Sequence, residues 1–157
     1  MQKSFSSFLL IVFLVIVGCK SSPLDQWDDL NLLGHGIPVT IKAPAGSEVG
    51  KDDFGFMQGV WIKGENYHVQ IYSSVSNTLD IDRIKQQKLR EVKANRYFSK
   101  IIEEDKNGFL YEKDIDGDIR IDFIHIKIIG DKEITFQKGL TSTFSESEIR
   151  NMYASVQ

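Results

Sequence analysis

The residues most able to carry acid–base or metal chemistry are three histidines, His35, His68 and His125. None of them has a helical metal-binding spacing such as HExxH, which places two imidazoles on one face of a helix. His68 and His125 fall on predicted strands, at positions outside the apolar set, so we expect both side chains at the surface. The histidine pattern therefore predicts no metal site and no cofactor.

Three aspartates in the segment DIDGD, Asp114, Asp116 and Asp118, resemble the start of a calcium-binding loop. The glycine comes one residue too early for an EF-hand, however, and the twelfth position from Asp114 is His125, where an EF-hand requires a bidentate glutamate. The segment instead favours a hairpin turn with solvated carboxylates. The sequence also contains neither a GxSxG nucleophile motif nor a glycine-rich phosphate loop after a strand.

An apolar run extends from Phe8 to Val17 and is followed by Gly18 and the only cysteine, Cys19. Lys3 precedes this run, which gives the layout of a secretory signal. As a helix, ten apolar residues would reach about 15 Å, roughly half of the ~30 Å hydrocarbon core of a bilayer. The run is therefore short for a stable membrane span and is expected to act as a signal peptide.

The segment Ile16, Val17, Gly18 and Cys19 resembles the lipobox of bacterial lipoproteins. The resemblance implies cleavage between Gly18 and Cys19, and attachment of fatty acyl chains such as palmitate to Cys19. Two or three acyl chains give stable membrane anchoring. Lys20 does not match the aspartate that retains lipoproteins in the inner membrane, so the resemblance implies the cell envelope, with the outer membrane favoured. The alternatives are a plain signal peptide or an uncleaved anchor with an incidental cysteine.

Composition and length divide the 157 residues into a signal peptide (1–18), a lipidated terminus with a tether (19–36) and one domain (37–157). The net charge is −3 at pH 7, and no basic stretch stands out, which argues against nucleic acid as a partner. Trp27, Leu30 and Leu33 are too apolar for a free tether. They are expected to cap the core as a helical turn or to form a partner-binding motif.

The first half of the domain alternates apolar and polar residues over 37–43, which predicts a half-buried strand. A turn-rich loop is expected over 44–53, followed by a hairpin of strands over 54–62 and 67–75. The period then changes to that of a helix over 79–95, with Ile81, Ile84, Leu89 and Val92 on one side. Either Thr78 or Asp80 is suited to cap this helix.

The second half predicts strands over 98–104, 109–115, 119–129 and 133–140. The pairs Asn107-Gly108 and Asp116-Gly117 suit two-residue hairpin turns. The apolar phase changes at Phe123, which indicates either a β-bulge or a central strand covered on both faces. Ser145 and Glu148 match a capping box that starts a terminal helix, with Phe144 and Ile149 placed as a hydrophobic staple.

The predicted order is βββαββββα, an α+β fold in which two helices pack on an antiparallel sheet of about six or seven strands. This order, with a proline- and glycine-containing loop after the first strand, is similar to the PsbP-like α/β sandwich. The resemblance covers most of the chain after the signal segment.

Two functional hypotheses follow from these features. The first is a non-catalytic accessory or binding protein, held at the membrane by the lipid on Cys19 and engaging another envelope protein. Its candidate partner surface is Met57, Trp61 and Tyr72, unless a helix buries these side chains. The alternative is an envelope hydrolase or metal-dependent enzyme that uses His68 or His125 with nearby carboxylates. We favour the first, since the sequence contains no catalytic motif.

Overall fold

The computed structural model describes residues 22–53, 55 and 57–157. The lipobox, with Gly18 and Cys19, lies outside the described residues, as do Phe54 and Phe56. Within the described part, no helix has both the length and the apolar character needed to cross a membrane.

The described chain forms an α+β fold of antiparallel strands and two helices, which confirms the predicted fold class. Seven strands make one sheet in the order β3-β4-β5-β9-β8-β7-β6, and the first two strands form a separate pair. The elements are β1 (Asp28–Asn31), β2 (Thr40–Ala43), β3 (Glu48–Asp53), β4 (Gln58–Gly64), β5 (Tyr67–Val75), α1 (Ile81–Lys93), β6 (Phe98–Glu104), β7 (Gly108–Ile115), β8 (Asp118–Ile129), β9 (Lys132–Lys138) and α2 (Glu146–Ser155).

Two strands lie where the sequence predicted other structure. β1 occupies most of the predicted helical turn and pairs with β2, so the helical prediction is wrong for residues 28–31. Trp27 and Leu30 still pack against the core, with the ring of Trp27 5.2 Å from that of Tyr67. The prediction is wrong for Leu33, which is 64% exposed, because the neighbouring Leu32 is the fully buried residue. β3 occupies the second half of the predicted loop and pairs with β4 as an edge strand. The loop prediction was wrong there because the charged residues of β3 suit a solvated sheet edge.

The two predicted glycine turns have different outcomes. Asp116 and Gly117 have φ angles of 55° and 90° and connect β7 to β8, which confirms a two-residue hairpin turn. The Asn107-Gly108 prediction is wrong, because Gly108 is the first residue of β7. A Cβ at Gly108 would collide with the carbonyl oxygen of Ile124 and the hydroxyl of Tyr153. Glycine is needed at this position for close packing of a strand.

The sheet has two faces, which we call the closed face, toward α2, and the open face, toward α1. Side chains alternate between them along the strands, except where register shifts interrupt β6. In β8, Phe123 belongs to the core of the closed face, whereas Ile124 and Ile126 belong to the core beneath α1. β8 pairs with β7 and β9 in unbroken register. The phase change at Phe123 therefore reflects a central strand that is covered on both faces.

Both helices begin as the sequence predicted. The carboxylate of Asp80 accepts a hydrogen bond from the backbone N–H of Arg83 at 3.1 Å, so Asp80 is the cap of α1. Ser145 and Glu148 form the capping box of α2. The apolar residues of α2 then pack onto the closed face, with Ile149 and Met152 fully buried. Thus α2 covers the core of the closed face, whereas α1 covers the open face only in part.

Candidate functional site

The open face carries the predicted partner surface. Strand register places Trp61 opposite Gln70, and Tyr72 opposite both Gly59 of β4 and Thr135 of β9. Because paired residues of antiparallel strands project to the same side, these side chains share the open face. Trp61 and Tyr72 are half-buried, and so is Met57, which precedes β4. The structure therefore brings Met57 and Tyr72 together and places Trp61 on the same face.

Glycine in the edge strand gives Trp61 its position. Gly50 of β3 pairs directly with Trp61, and a Cβ at Gly50 would collide with the indole ring. The indole therefore lies over Gly50 of the edge strand. A large planar surface remains partly exposed at the side of the sheet, which suits contact with a partner.

Met57 and Tyr72 line a cleft of about 190 Å³ between α1 and the sheet. The hydroxyl of Tyr72 donates a hydrogen bond to Gln70 Oε1 at 3.2 Å. Burial and the nearby charge of Asp52 raise the pKa of Tyr72, so the phenol stays protonated at neutral pH. The cleft thus combines an apolar thioether, an aromatic ring and a neutral hydroxyl. Its further lining residues are Ser74, Lys88, Glu91, Ile124, Glu133, Thr135 and Gln137.

A charged rim borders this cleft where α1 meets β9. Lys88 Nζ lies 3.5 Å from Glu133 Oε1 and 4.0 Å from Glu91 Oε2. The Thr135 hydroxyl donates to the same Glu133 oxygen at 3.2 Å. An apolar and aromatic centre with a charged rim is the usual layout of a protein–protein interface.

His68 is buried, with only 7% of its surface exposed, so the prediction of a surface histidine is wrong. Its ring packs over Gly139, where a Cβ would overlap the imidazole. Burial lowers the pKa of His68, and the charges of Lys63 and Lys138 lower it further. A glycine far along the chain therefore creates the space that buries this side chain.

His125 is buried more deeply, with 3% of its surface exposed, and the surface prediction is wrong here too. It pairs with Phe136 on the closed face and contacts the rings of Phe136 and Tyr153, whose centroids lie 5.9 and 5.8 Å away. Within the described residues, neither imidazole nitrogen has a hydrogen-bond partner. Burial, with a contribution from Lys127, lowers the pKa of His125 to about 4.

Asp105 is the carboxylate that could act together with His125, but its hydrogen bonds stabilise the fold. Its Oδ1 accepts the N–H groups of Asn107 and Gly108, and its Oδ2 accepts the hydroxyl of Tyr153 at 2.5 Å. Burial alone would raise the pKa of Asp105, yet these hydrogen bonds outweigh burial and lower it. The arrangement fastens the β6–β7 loop to α2.

Two of the three predicted turn aspartates are engaged in local interactions. Asp114 Oδ1 accepts the N–H of Gly117 at 2.7 Å, and Asp118 pairs with Arg120. His35 ends a short 3-10 turn, and its carbonyl accepts a hydrogen bond from Gln58. No group of three or more His, Cys, Asp or Glu side chains within the described residues is arranged to hold a metal ion.

A second pocket on the sheet, of about 160 Å³, surrounds Asp122. Asp122 is 7% exposed and forms ion pairs with Lys113 and Lys138. Sequence reasoning missed this group. The available signal was Asp122 itself, since it shares the alternation of Ile124 and Ile126 in β8, where a charged residue requires partners.

The open face presents flat aromatic rings beside amide and hydroxyl groups, which favours binding of a partner or ligand. Compared with known proteins, the chain matches no protein-family model, no curated protein and no solved structure. The interpretation of the open face therefore depends on the geometry of its own residues.

Proposed function

We propose that this chain is a lipid-anchored protein of the bacterial cell envelope whose non-catalytic domain binds another envelope protein through the open face. The observation that carries the binding role is the half-buried set Met57, Trp61 and Tyr72, which share a face that α1 covers only in part. Aromatic residues and methionine are enriched at the centres of protein interfaces. The lipobox resemblance ending at Cys19 supports the anchor and favours the outer membrane.

The position of the N-terminal segment is compatible with this arrangement. Pro23 and Trp27 line a groove together with Glu65 and Asn66, which form the turn between β4 and β5. Met57 lies at the other end of β4, roughly 20 Å away for a seven-residue strand at about 3.3 Å per residue. An anchor at the Asn66 end would therefore leave the cleft at Met57 on the side away from the membrane.

The enzymatic hypothesis remains a prediction from the sequence. His68 and His125 project to opposite faces of the sheet, since His68 pairs with Lys63 on the open face and His125 with Phe136 on the closed face. The rings and backbone packed around them limit access to both side chains.

The anchor is tested by comparing the intact mass and membrane partition of the wild-type protein and the Cys19→Ala variant in a bacterial host. We expect the wild type to have the mass of residues 19–157 plus acyl chains and to partition with the outer membrane. Cys19→Ala should stay unprocessed and unlipidated. An unlipidated wild type would contradict the anchor.

The binding face is tested by photocrosslinking in intact cells, with a photoreactive residue at Trp61 or Tyr72. The matched control is the same residue at Lys100, an exposed position on β6. We expect one discrete crosslinked protein from the open-face positions and none from Lys100. Equal crosslinking from all three positions, or none from Trp61 and Tyr72, would contradict the proposed binding face.

A further inference from the structure

We propose that the pocket around Asp122 binds an acidic sugar, a ligand that carries a carboxylate together with several hydroxyl groups. This pocket is separate from the cleft at Met57 and does not depend on the proposed function. Gln137 borders both. The residues that line it are Tyr111, Lys113, Ile115, Arg120, Asp122, Phe123, Gln137, Lys138 and Leu140.

Asp122 supplies a buried hydrogen-bond acceptor. Its Oδ2 is paired with Lys113, whereas its Oδ1 lies 3.4 Å from Lys138 Nζ, within ion-pair distance but without hydrogen-bond geometry. Within the described residues, this buried oxygen has no hydrogen-bond partner. Leaving such a group without a hydrogen bond is unfavourable. A ligand hydroxyl placed at Oδ1 would remove that cost, which explains a preference for a ligand with donors.

The cations around the pocket point to a carboxylate on the same ligand. Lys113, Arg120 and Lys138 line the pocket, and among the described residues Asp122 is the only carboxylate in its wall. Arg120 is partly neutralised by Asp118, outside the wall, at 2.6 Å. The remaining positive charge of Lys113 and Lys138 exceeds the single charge of Asp122. A second anion is therefore attracted to the pocket. Lys138 Nζ already donates to the carbonyl oxygens of Gly139 and Ser142, at 3.0 and 3.2 Å, so the charge-assisted hydrogen bonds to that anion would come from Lys113.

The volume of the Asp122 pocket and its remaining lining residues fit a sugar ring. Tyr111, Ile115 and Leu140 present apolar surface, and Leu140 is 74% exposed at the mouth. A sugar has one relatively apolar C–H face, which can pack against an aromatic or aliphatic wall while its hydroxyls reach the polar side chains. The small volume favours a single ring, free or as one unit of a glycan.

The experiment uses saturation-transfer NMR on the purified full chain in detergent, with D-glucuronate as the probe and D-glucose as the matched sugar without a carboxylate. We expect glucuronate to bind at least tenfold more tightly than glucose. Lys113→Met should remove most of this preference, and Asp122→Asn should weaken binding of both sugars. Lys100→Met, which removes an exposed lysine on β6, should change neither.

Circular dichroism of each variant establishes that loss of binding is not loss of folding. A hyaluronan tetrasaccharide, which contains glucuronate within a chain, distinguishes a glycan unit from a free sugar. The proposal is overturned if glucuronate gives no saturation transfer, if glucose binds equally well, or if folded Lys113→Met keeps the full preference. Cys19→Ala should bind glucuronate as the wild type does, so failure of the anchor would not affect this result.

Discussion

The two faces of the sheet differ in how completely they are covered. On the closed face, α2 and the β1–β2 pair bury a continuous core that includes Ile71, Phe123 and Phe136, each with no exposed surface. On the open face, α1 covers a smaller core around Phe109 and Ile126, while Trp61 and Tyr72 remain half-buried. The same strands therefore contribute to a closed core on one side and to a partly exposed surface on the other.

Under the proposed function, this difference would divide stability and binding between the two faces of the sheet. Hydrophobic stabilisation is proportional to the apolar area removed from water, so the closed face should supply most of it. The open face leaves large side chains in contact with solvent, an arrangement that is typical of interaction surfaces. Substitutions on the two faces should therefore have effects of different size and kind.

The largest difference is expected between Phe136→Ala on the closed face and Tyr72→Ala on the open face. Phe136 is fully buried, and its truncation leaves a cavity, so we expect a loss of about 3–5 kcal/mol in the free energy of unfolding. Tyr72 is half-buried, and its truncation should cost about 1 kcal/mol. Urea unfolding monitored by circular dichroism measures both values. Equal losses would contradict the division between the faces.

The second expectation concerns pH and His125. Burial lowers the pKa of His125 from about 6.5 in the unfolded chain to about 4 in the folded protein. Below pH 6.5 the unfolded chain takes up a proton that the folded protein excludes. Stability contributed by the neutral imidazole is therefore full above pH 6.5 and is lost as the pH falls toward 4, by about 3 kcal/mol in total.

The test is the melting temperature between pH 7.5 and pH 4.5 for the wild type, His125→Leu and His68→Leu. His125→Leu should flatten the decline toward acid pH. Burial lowers the pKa of His68 as well, but His68 is less deeply buried than His125, so its variant should flatten the decline less. An unchanged slope in His125→Leu would contradict the buried neutral imidazole.

The smallest expected effect concerns the quenching of tryptophan fluorescence. The protein has two tryptophans, so Trp27→Phe leaves Trp61 as the only indole. Because Trp61 is half-buried at the edge of the open face, acrylamide should quench its fluorescence to an intermediate degree, between the free amino acid and a closed core. Quenching as weak as that of a fully buried indole would mean that the surface is closed. Urea-unfolded protein provides the reference for full access.

The sequence predicted those parts of the fold that depend on residues close together in the chain. The capping box at Ser145 and Glu148, the Asp116-Gly117 turn and the two-sided pattern of β8 depend on neighbouring residues alone. β3 gave no such signal, because an edge strand with charged residues has the same composition as a loop.

The burial of the histidines could not be predicted for a different reason. His68 is covered because Gly139 leaves space for its ring, and His125 because Tyr153 and Phe136 pack against it. All three neighbours are distant in sequence from the histidines that they cover, or belong to other elements of the fold. The Asp122 pocket likewise depends on Lys113 and Lys138, which come from β7 and β9. The alternation of apolar and polar residues along a strand indicates which face of the sheet a side chain lies on. It does not indicate which residues cover that face.

The pairing of β5 with β9 has a consequence for the order of folding. It joins Val75 to Lys132 across the whole intervening stretch of helix, strands and turns. Loop-closure entropy makes such a distant contact slow to form, whereas the β3–β4–β5 and β6–β7–β8–β9 groups use short connections. Until β9 has emerged from the ribosome, β5 has no partner on one side. The complete seven-stranded sheet can therefore close only after β9 has been synthesised, and a shorter growing chain leaves one edge of β5 open to pairing with a strand of another molecule.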